Sequence, residues 1–154
     1  MAQKPFDPVE IVESLEGETT EMVKEIAVAV LSAVVTTTPV GDPKIWQYPP
    51  RKSGYVGGHA RRNWIVSTAK FVDVVKGTAG KGKGKSAATN TSMRAGERKI
   101  DSFKVQSSRI IIQNNVPYIT RLNNGHSTQA PANFVQTAVM VGRNLGRNDR
   151  KELP

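Results

Sequence analysis

Cysteine is absent from this sequence, and histidine occurs only at positions 59 and 126. Without cysteine, the chain can form neither a disulfide nor a thiolate metal site. Two histidines are too few for a histidine-rich metal centre, so we expect no metal and no cofactor.

Long apolar runs are also missing. The longest, residues 26–35, is interrupted by Ser32 and is about half of the roughly 20 residues that a membrane span requires. The N-terminus has no charged and then apolar leader, so a signal peptide is not predicted. We therefore expect a soluble, cytosolic product without membrane contact, forming a single domain over residues 1–154.

Acidic residues are few relative to basic ones. The chain has 22 lysines and arginines against 13 aspartates and glutamates, a formal net charge of +9. Such a balance attracts polyanions, nucleic acid among them, but it also keeps a protein soluble without any such partner. Charge alone leaves both interpretations open.

Helical signals lie at both ends of the chain. After an N-terminal arm (1–7), Pro8 opens a short helix that Gly17 is expected to break or bend. A second helix is predicted from Thr19 or Thr20 to about Thr36, since apolar residues recur at three- and four-residue steps. A last helix is predicted with Pro131 in its first turn, and glycines 142 and 146 are expected to let it fray into a charged tail (143–154).

Strand signals occupy the middle of the chain. They cover residues 64–68, 70–75, 103–112 and 116–119, with a turn at Asn114-Asn115 between the last two. The fold class predicted from this order is α+β, with a small, mainly antiparallel sheet packed by a long N-terminal helix and a C-terminal helix.

Residues 77–99 form the least globular stretch, and we predict an extended or flexible basic loop there. Its charges could contact DNA phosphates or an acidic neighbouring subunit, with a solvated loop as the alternative. The candidate contact residues are Lys76, Lys81, Lys83, Lys85, Arg94, Arg98 and Lys99.

A phosphate-binding loop and a catalytic pair are both disfavoured. Residues 79–86 end in Gly-Lys-Ser, but Ala79 stands where the first glycine of that motif is required. His126 and Ser127 are neighbours in a loop, which does not make them base and nucleophile. We expect His126 to fix the turn by hydrogen bonding, and no enzyme is predicted.

A motif more specific than these general patterns spans residues 117–135. It reads Pro-Tyr-Ile-x-Arg-Leu-Asn-x-Gly-His-Ser-x-Gln-Ala-Pro-x-x-Phe-Val. This string resembles the C-terminal signature of the head–tail joining (neck and tail-completion) proteins of long-tailed bacteriophages, relatives of lambdoid minor tail protein Z. Residues 54–64, ending in Arg-Arg-Asn-Trp, resemble the same family, although residues 44–55 form a long insert and His59-Ala60 replaces a commoner aliphatic residue. The matching positions are Trp64, Pro117, Tyr118, Leu122, Gly125, His126, Pro131 and Phe134.

The resemblance implies a structural virion protein at the head–tail interface, assembled in the host cytoplasm. It would form a homo-oligomeric ring, commonly six-fold, that contacts the tail tube and head-connector proteins and could contact genomic DNA in its lumen. Deleting residues 79–92 would then impair the ring and leave the monomer folded. The alternative is a small basic nucleic-acid-binding protein, for which arginines and aromatics suit a binding surface. Those residues are Tyr48, Tyr55, Arg61, Arg62 and Trp64.

Overall fold

The computed structural model of this chain describes residues 8–41, 57–77, 84–107 and 109–149. Their order is α1 (Pro8–Thr37), α2 (His59–Arg62), β1 (Trp64–Ser67), α3 (Gly84–Asp101), a 3-10 turn (Val105–Ser107), β2 (Ile111–Asn114), α4 (Ile119–Asn123) and α5 (Phe134–Asp149). Among these elements, no helix combines the length and the apolar character that crossing a bilayer requires. The predicted N-terminal arm (1–7) lies outside the described residues.

The α+β prediction is confirmed, with a long N-terminal helix, a C-terminal helix and a small antiparallel sheet. β1 and β2 pair antiparallel, with Trp64 opposite Asn114 and Ser67 opposite Ile111. The apolar positions of α1 meet β1, α3 and α5 in one core. Its buried members are Ala27, Leu31, Val34, Val35, Trp64, Val66, Ile100, Phe134 and Ala138.

α1 is one helix of 30 residues, so the predicted division at Gly17 is wrong. A glycine inside a helix costs only about 1 kcal/mol relative to alanine, which is too little to end a helix that packing holds further along. Gly17 is exposed, and a side chain placed there would meet nothing within 4 Å.

α3 replaces the C-terminal part of the predicted basic loop. Small residues recur every fourth position on its inner face at Ala88, Ser92 and Gly96, and all three are buried. Ile100, also buried, continues the same row. This spacing places them on one side of a helix, and their size allows α1 and β1 to approach closely. The loop prediction is therefore wrong from Gly84 onward. Deleting 79–92 is also not expected to leave a folded monomer, because buried helix would be lost.

α5 continues through both of its glycines, so the predicted fraying is wrong. Gly142 lies against Val30 and Ile26, and Gly146 lies against Ile26. The missing side chains let the two helices approach, and the packing stabilises the helix as far as Asp149. Only residues 150–154 of the predicted charged tail fall outside the described residues.

Three predicted strands differ from the structure. The chain near Phe103 forms the end of α3 and a 3-10 turn, and strand β2 begins only at Ile111. The turn after β2 is present, because the Asn114 side chain accepts a hydrogen bond from the Val116 N–H (3.1 Å). It leads into helix α4 rather than into the predicted strand at 116–119. Residues 70–75 are not assigned to a strand.

Two alanine substitutions at helical glycines should have opposite effects. Gly17→Ala is expected to raise the free energy of unfolding by about 0.5–1 kcal/mol, since it improves helix propensity without a collision. In Gly96→Ala the new Cβ would stand 2.4 Å from Leu31 Cδ2 and 3.0 Å from Val66 Cγ2. Overpacking should therefore lower the stability by about 1–2 kcal/mol. Urea denaturation of both variants measures this, and stabilisation by Gly96→Ala would contradict the packing of α3.

Candidate functional site

The structure separates the predicted basic contact residues. Lys81 and Lys83 lie outside the described residues, and Lys85 is in the first turn of α3, where side chains are not described. Lys76 is half-buried before α3, and its pKa is lowered by burial and by the charge of Arg62. Lys76 is therefore less accessible than the exposed basic residues of α3.

α3 does bring Arg94 and Arg98 together on its exposed side, with Lys99 next to them in sequence. Arg98 Nε donates a hydrogen bond to the Arg94 carbonyl (3.1 Å). Glu97 and Asp101 stand three residues after these arginines, at helical neighbour spacing. The outer surface of α3 therefore carries both signs of charge rather than a purely basic stripe.

Arg61 and Trp64, two residues of the nucleic-acid alternative, are buried instead of surface-exposed. Arg61 is only 5% exposed and donates hydrogen bonds to the carbonyls of Thr36 (2.9 Å) and Thr38 (2.6 and 3.0 Å). It also reaches the Thr89 hydroxyl at 3.3 Å. Neither residue is available to stack on a base or to bind a phosphate.

The partners of Arg61 explain how a charge is accommodated there. Thr36 and Thr38 lie at the C-terminal end of α1, where carbonyl groups without helical partners carry partial negative charge. Burial lowers the pKa of Arg61. Among the described residues, no carboxylate forms an ion pair with this guanidinium. Arg61 is therefore a cap for α1, and its charge is balanced by carbonyl dipoles.

The same cap connects three other elements. Trp64 Nε1 donates to the Thr38 hydroxyl (2.7 Å), which in turn donates to the Val34 carbonyl inside α1. Ser92 of α3 donates to the Arg61 carbonyl at 2.9 Å. This polar cluster joins the end of α1 to α2, β1 and α3, so Trp64 of the family motif has a structural role.

Residues 71–77 are held by side-chain amides in place of a neighbouring strand. Gln113 pairs with both the N–H (3.0 Å) and the carbonyl (2.7 Å) of Val72, and Asn63 pairs with both groups of Lys76 (2.6 and 3.1 Å). Asn115 donates to the carbonyls of Val72 and Val74. Hydrogen bonds at alternate residues are the pattern of an extended chain. The predicted strand is thus extended but lacks a backbone ladder.

Tyr118 of the motif contacts His59 of α2, and His59 in turn contacts the extended segment. Pro117 and Tyr118 form an exposed turn before α4. His59 Nε2 lies 2.9 Å from the Lys76 carbonyl, and its Nδ1 lies 2.9 Å from the Tyr118 hydroxyl. His59, which differs from the family pattern, therefore links two parts of the chain.

Hydrogen bonds of two asparagines connect the end of α4 to the start of α5. The Asn133 N–H donates to the Asn123 carbonyl (2.6 Å), and the Asn123 side chain accepts from the Val135 N–H (2.9 Å). Gly125 has a φ of 88°, and Ala132 lies 3.0 Å from where its Cβ would be. A larger residue at 125 would be strained and crowded. The loop is thereby fastened to the start of α5.

The motif residues differ in their burial. Phe134 is fully buried in the core, and Leu122 packs against it. Pro131 and His126 are exposed, and Pro131 precedes α5 by three residues rather than opening it. The His126 backbone N–H donates to the Arg121 carbonyl (3.2 Å). Within the part of the chain that the structure describes, the hydrogen bond at His126 is thus made by its backbone and not by its ring.

Exposed apolar side chains form the remaining surface feature. They occur on the first turns of α1, on the extended segment and on the outer side of α5. An open groove of about 650 Å³ lies between α1 and α5. We call it the α1/α5 groove, and its principal lining residues are Ile26, Val30, Val139, Met140, Arg143 and Arg147.

The described residues contain no cluster of three or more histidines, aspartates or glutamates that could hold a metal ion. No protein-family model, no curated protein and no solved structure matches this chain. The chemistry and geometry of the chain itself must therefore support any functional assignment.

Proposed function

We propose that this protein is a structural component of the head–tail interface of a long-tailed bacteriophage. In this proposal it assembles into a ring that joins or completes the tail at the capsid connector, and it acts through surface contacts without turnover. The resemblance of residues 117–135 to the neck and tail-completion family motivates the proposal. The observation that carries it is the exposure of large apolar side chains on three separate elements, because groups of exposed apolar side chains mark interaction sites.

The distribution of these patches favours a ring over a two-fold dimer. The extended segment exposes Phe71 and Val75, α1 exposes Leu15, and α5 exposes Met140. A subunit that contacts two neighbours through different surfaces forms a closed ring or a filament. The third apolar surface would then contact the tail-tube or connector proteins. DNA would pass through the lumen of the ring.

Light scattering on nucleic-acid-free protein, at low and at high salt, tests the proposal. We expect a species about six times the chain mass of 16.8 kDa that persists at high salt, because apolar contacts are not screened by ions. A protein that stays monomeric over the whole concentration range in both buffers would contradict self-assembly into a ring.

A small nucleic-acid-binding protein is the second candidate, and the net charge of +9 is what favours it. In the described residues, however, Arg61 and Trp64 are buried and α3 carries mixed charge. The two candidates differ in their salt dependence, since phosphate contacts make affinity fall steeply with ionic strength. Tight DNA binding by a monomer at low salt, lost at high salt and weakened by Arg94→Glu with Arg98→Glu, would favour this candidate.

A further inference from the structure

The N-terminal turns of α1 extend beyond α5. Gly142 lies against Val30 and Gly146 against Ile26, so the two helices run antiparallel. α5 ends at Asp149, level with the middle of α1. Residues 8–21 of α1, which we call the α1 overhang, therefore extend about 20 Å past this contact at about 1.5 Å per residue.

The α1 overhang carries an uncovered apolar stripe. Val12 and Leu15 are 54% and 56% exposed. At about 100° per residue they lie on the same side of the helix as Ile26 and Val30, which pack against α5 further along. The apolar face of α1 is thus buried where the helix packs against α5 and exposed in its N-terminal turns. Carboxylates flank this stripe on its two sides at Glu16 and Glu18. The Glu16 carboxylate also accepts a hydrogen bond from Gln106 Nε2 (2.7 Å).

The α1/α5 groove has the complementary character. Val139 and Met140 provide apolar surface, and Met140 is 60% exposed. Arg143 and Arg147 line the same groove and are exposed. Neither arginine forms a salt bridge within the described chain. The groove is apolar with basic residues along it, whereas the overhang is apolar with acidic residues along it.

We propose that the α1 overhang of one subunit docks into the α1/α5 groove of a second copy of this chain. Val12 and Leu15 would contact Val139 and Met140, and the flanking carboxylates would face the two arginines. Pairing two overhangs with each other would instead bring carboxylates together, which is unfavourable. The inference rests on the proposed ring, for which it supplies the contact between subunits: two different surfaces that join head to tail.

Site-directed cross-linking tests the contact, because the natural chain has no cysteine. Full-length Leu15→Cys and Met140→Cys variants are mixed and treated with a short bismaleimide. We expect the 15–140 heterodimer to form faster than either homodimer. The matched control pairs Leu15→Cys with Phe71→Cys, a position that is 72% exposed and lies outside the groove. Equal yields for the two pairings, or no 15–140 product, would overturn the proposal.

Charge reversal provides an independent readout. Arg143→Glu with Arg147→Glu makes both surfaces acidic, and Glu16→Lys with Glu18→Lys makes both basic. Each variant alone should associate at least about tenfold more weakly than the natural chain, because like charges then face each other. An equimolar mixture of the two should assemble again, since every overhang then meets a groove of opposite charge. Circular dichroism confirms that each variant is folded.

The outcomes separate this contact from the proposed function. Rings that persist in both reversed variants would overturn the contact and leave the ring itself in place. A natural chain that remains monomeric and gives no 15–140 product would overturn both. Assembly that is lost in each variant and restored in the mixture supports the contact and the ring together.

Discussion

Replacing Arg61 with methionine is expected to lower the free energy of unfolding by about 3 kcal/mol. Methionine preserves much of the aliphatic volume but removes the donors that satisfy the Thr36 and Thr38 carbonyls at the end of α1. A buried carbonyl that loses its partner costs about 1–3 kcal/mol. The Thr38 carbonyl is buried in this way, the Thr36 carbonyl is partly buried, and the Thr89 hydroxyl loses a third contact.

Urea denaturation followed by tryptophan fluorescence measures this effect, because Trp64 belongs to the same polar cluster. Arg121→Met is the matched control: Arg121 is exposed, and its replacement should change stability by less than about 0.5 kcal/mol. Arg61→Lys should recover only part of the loss, since an ammonium cannot span the same acceptors as a planar guanidinium. Equal stability of Arg61→Met and the control would contradict the capping role.

Phe134→Ala is expected to destabilise the fold by about 4 kcal/mol, the larger of the two effects. Phe134 is 1% exposed and stands at the start of α5, where its ring packs into the core with residues of α1. Removing the ring loses its burial and leaves a cavity that the surrounding helices fill only in part. Since the Asn123 side chain binds the next residue, Val135, the whole motif should loosen as well.

The matched control for Phe134→Ala lies on the same helix. Val141 is 40% exposed, so Val141→Ala should cost less than about 1 kcal/mol. Thermal or urea unfolding compares the two variants, and amide hydrogen exchange at residues 121–135 tests the loosening of the motif. A stability difference below about 1 kcal/mol between the two variants would show that Phe134 does not anchor the core.

The elements that sequence reasoning predicted correctly are those with large apolar residues in a regular pattern. The second half of α1 shows such a pattern from Met22 to Val34, and β1 follows Trp64 with β-branched residues. Burial of these side chains supplies most of the stability of an element, so the pattern and the structure agree.

Sequence reasoning failed where close packing depends on small residues. The inner face of α3 is formed by Ala88, Ser92 and Gly96, and α5 meets α1 through Gly142 and Gly146. Composition makes these stretches resemble a loop and a fraying end, because alanine, serine and glycine add little to an apolar pattern. A search for small residues at four-residue spacing would have indicated α3 and the continuation of α5 past its glycines.

The sequence around each residue of the candidate site gave no indication of its hydrogen-bond partners. Nothing in the sequence around Arg61 distinguishes a buried cap from a surface arginine, since its acceptors lie 23 to 28 residues away. The extended segment likewise depends on Asn63, Gln113 and Asn115, which are distant from it in sequence. Such contacts follow from the tertiary fold.

Electron microscopy of the purified full-length chain tests the central claim most directly. If the protein is a head–tail structural component, it should form closed rings of uniform diameter with an open lumen, in high salt and without nucleic acid. Isolated single subunits at every concentration, or particles that appear only when DNA is added, would contradict it.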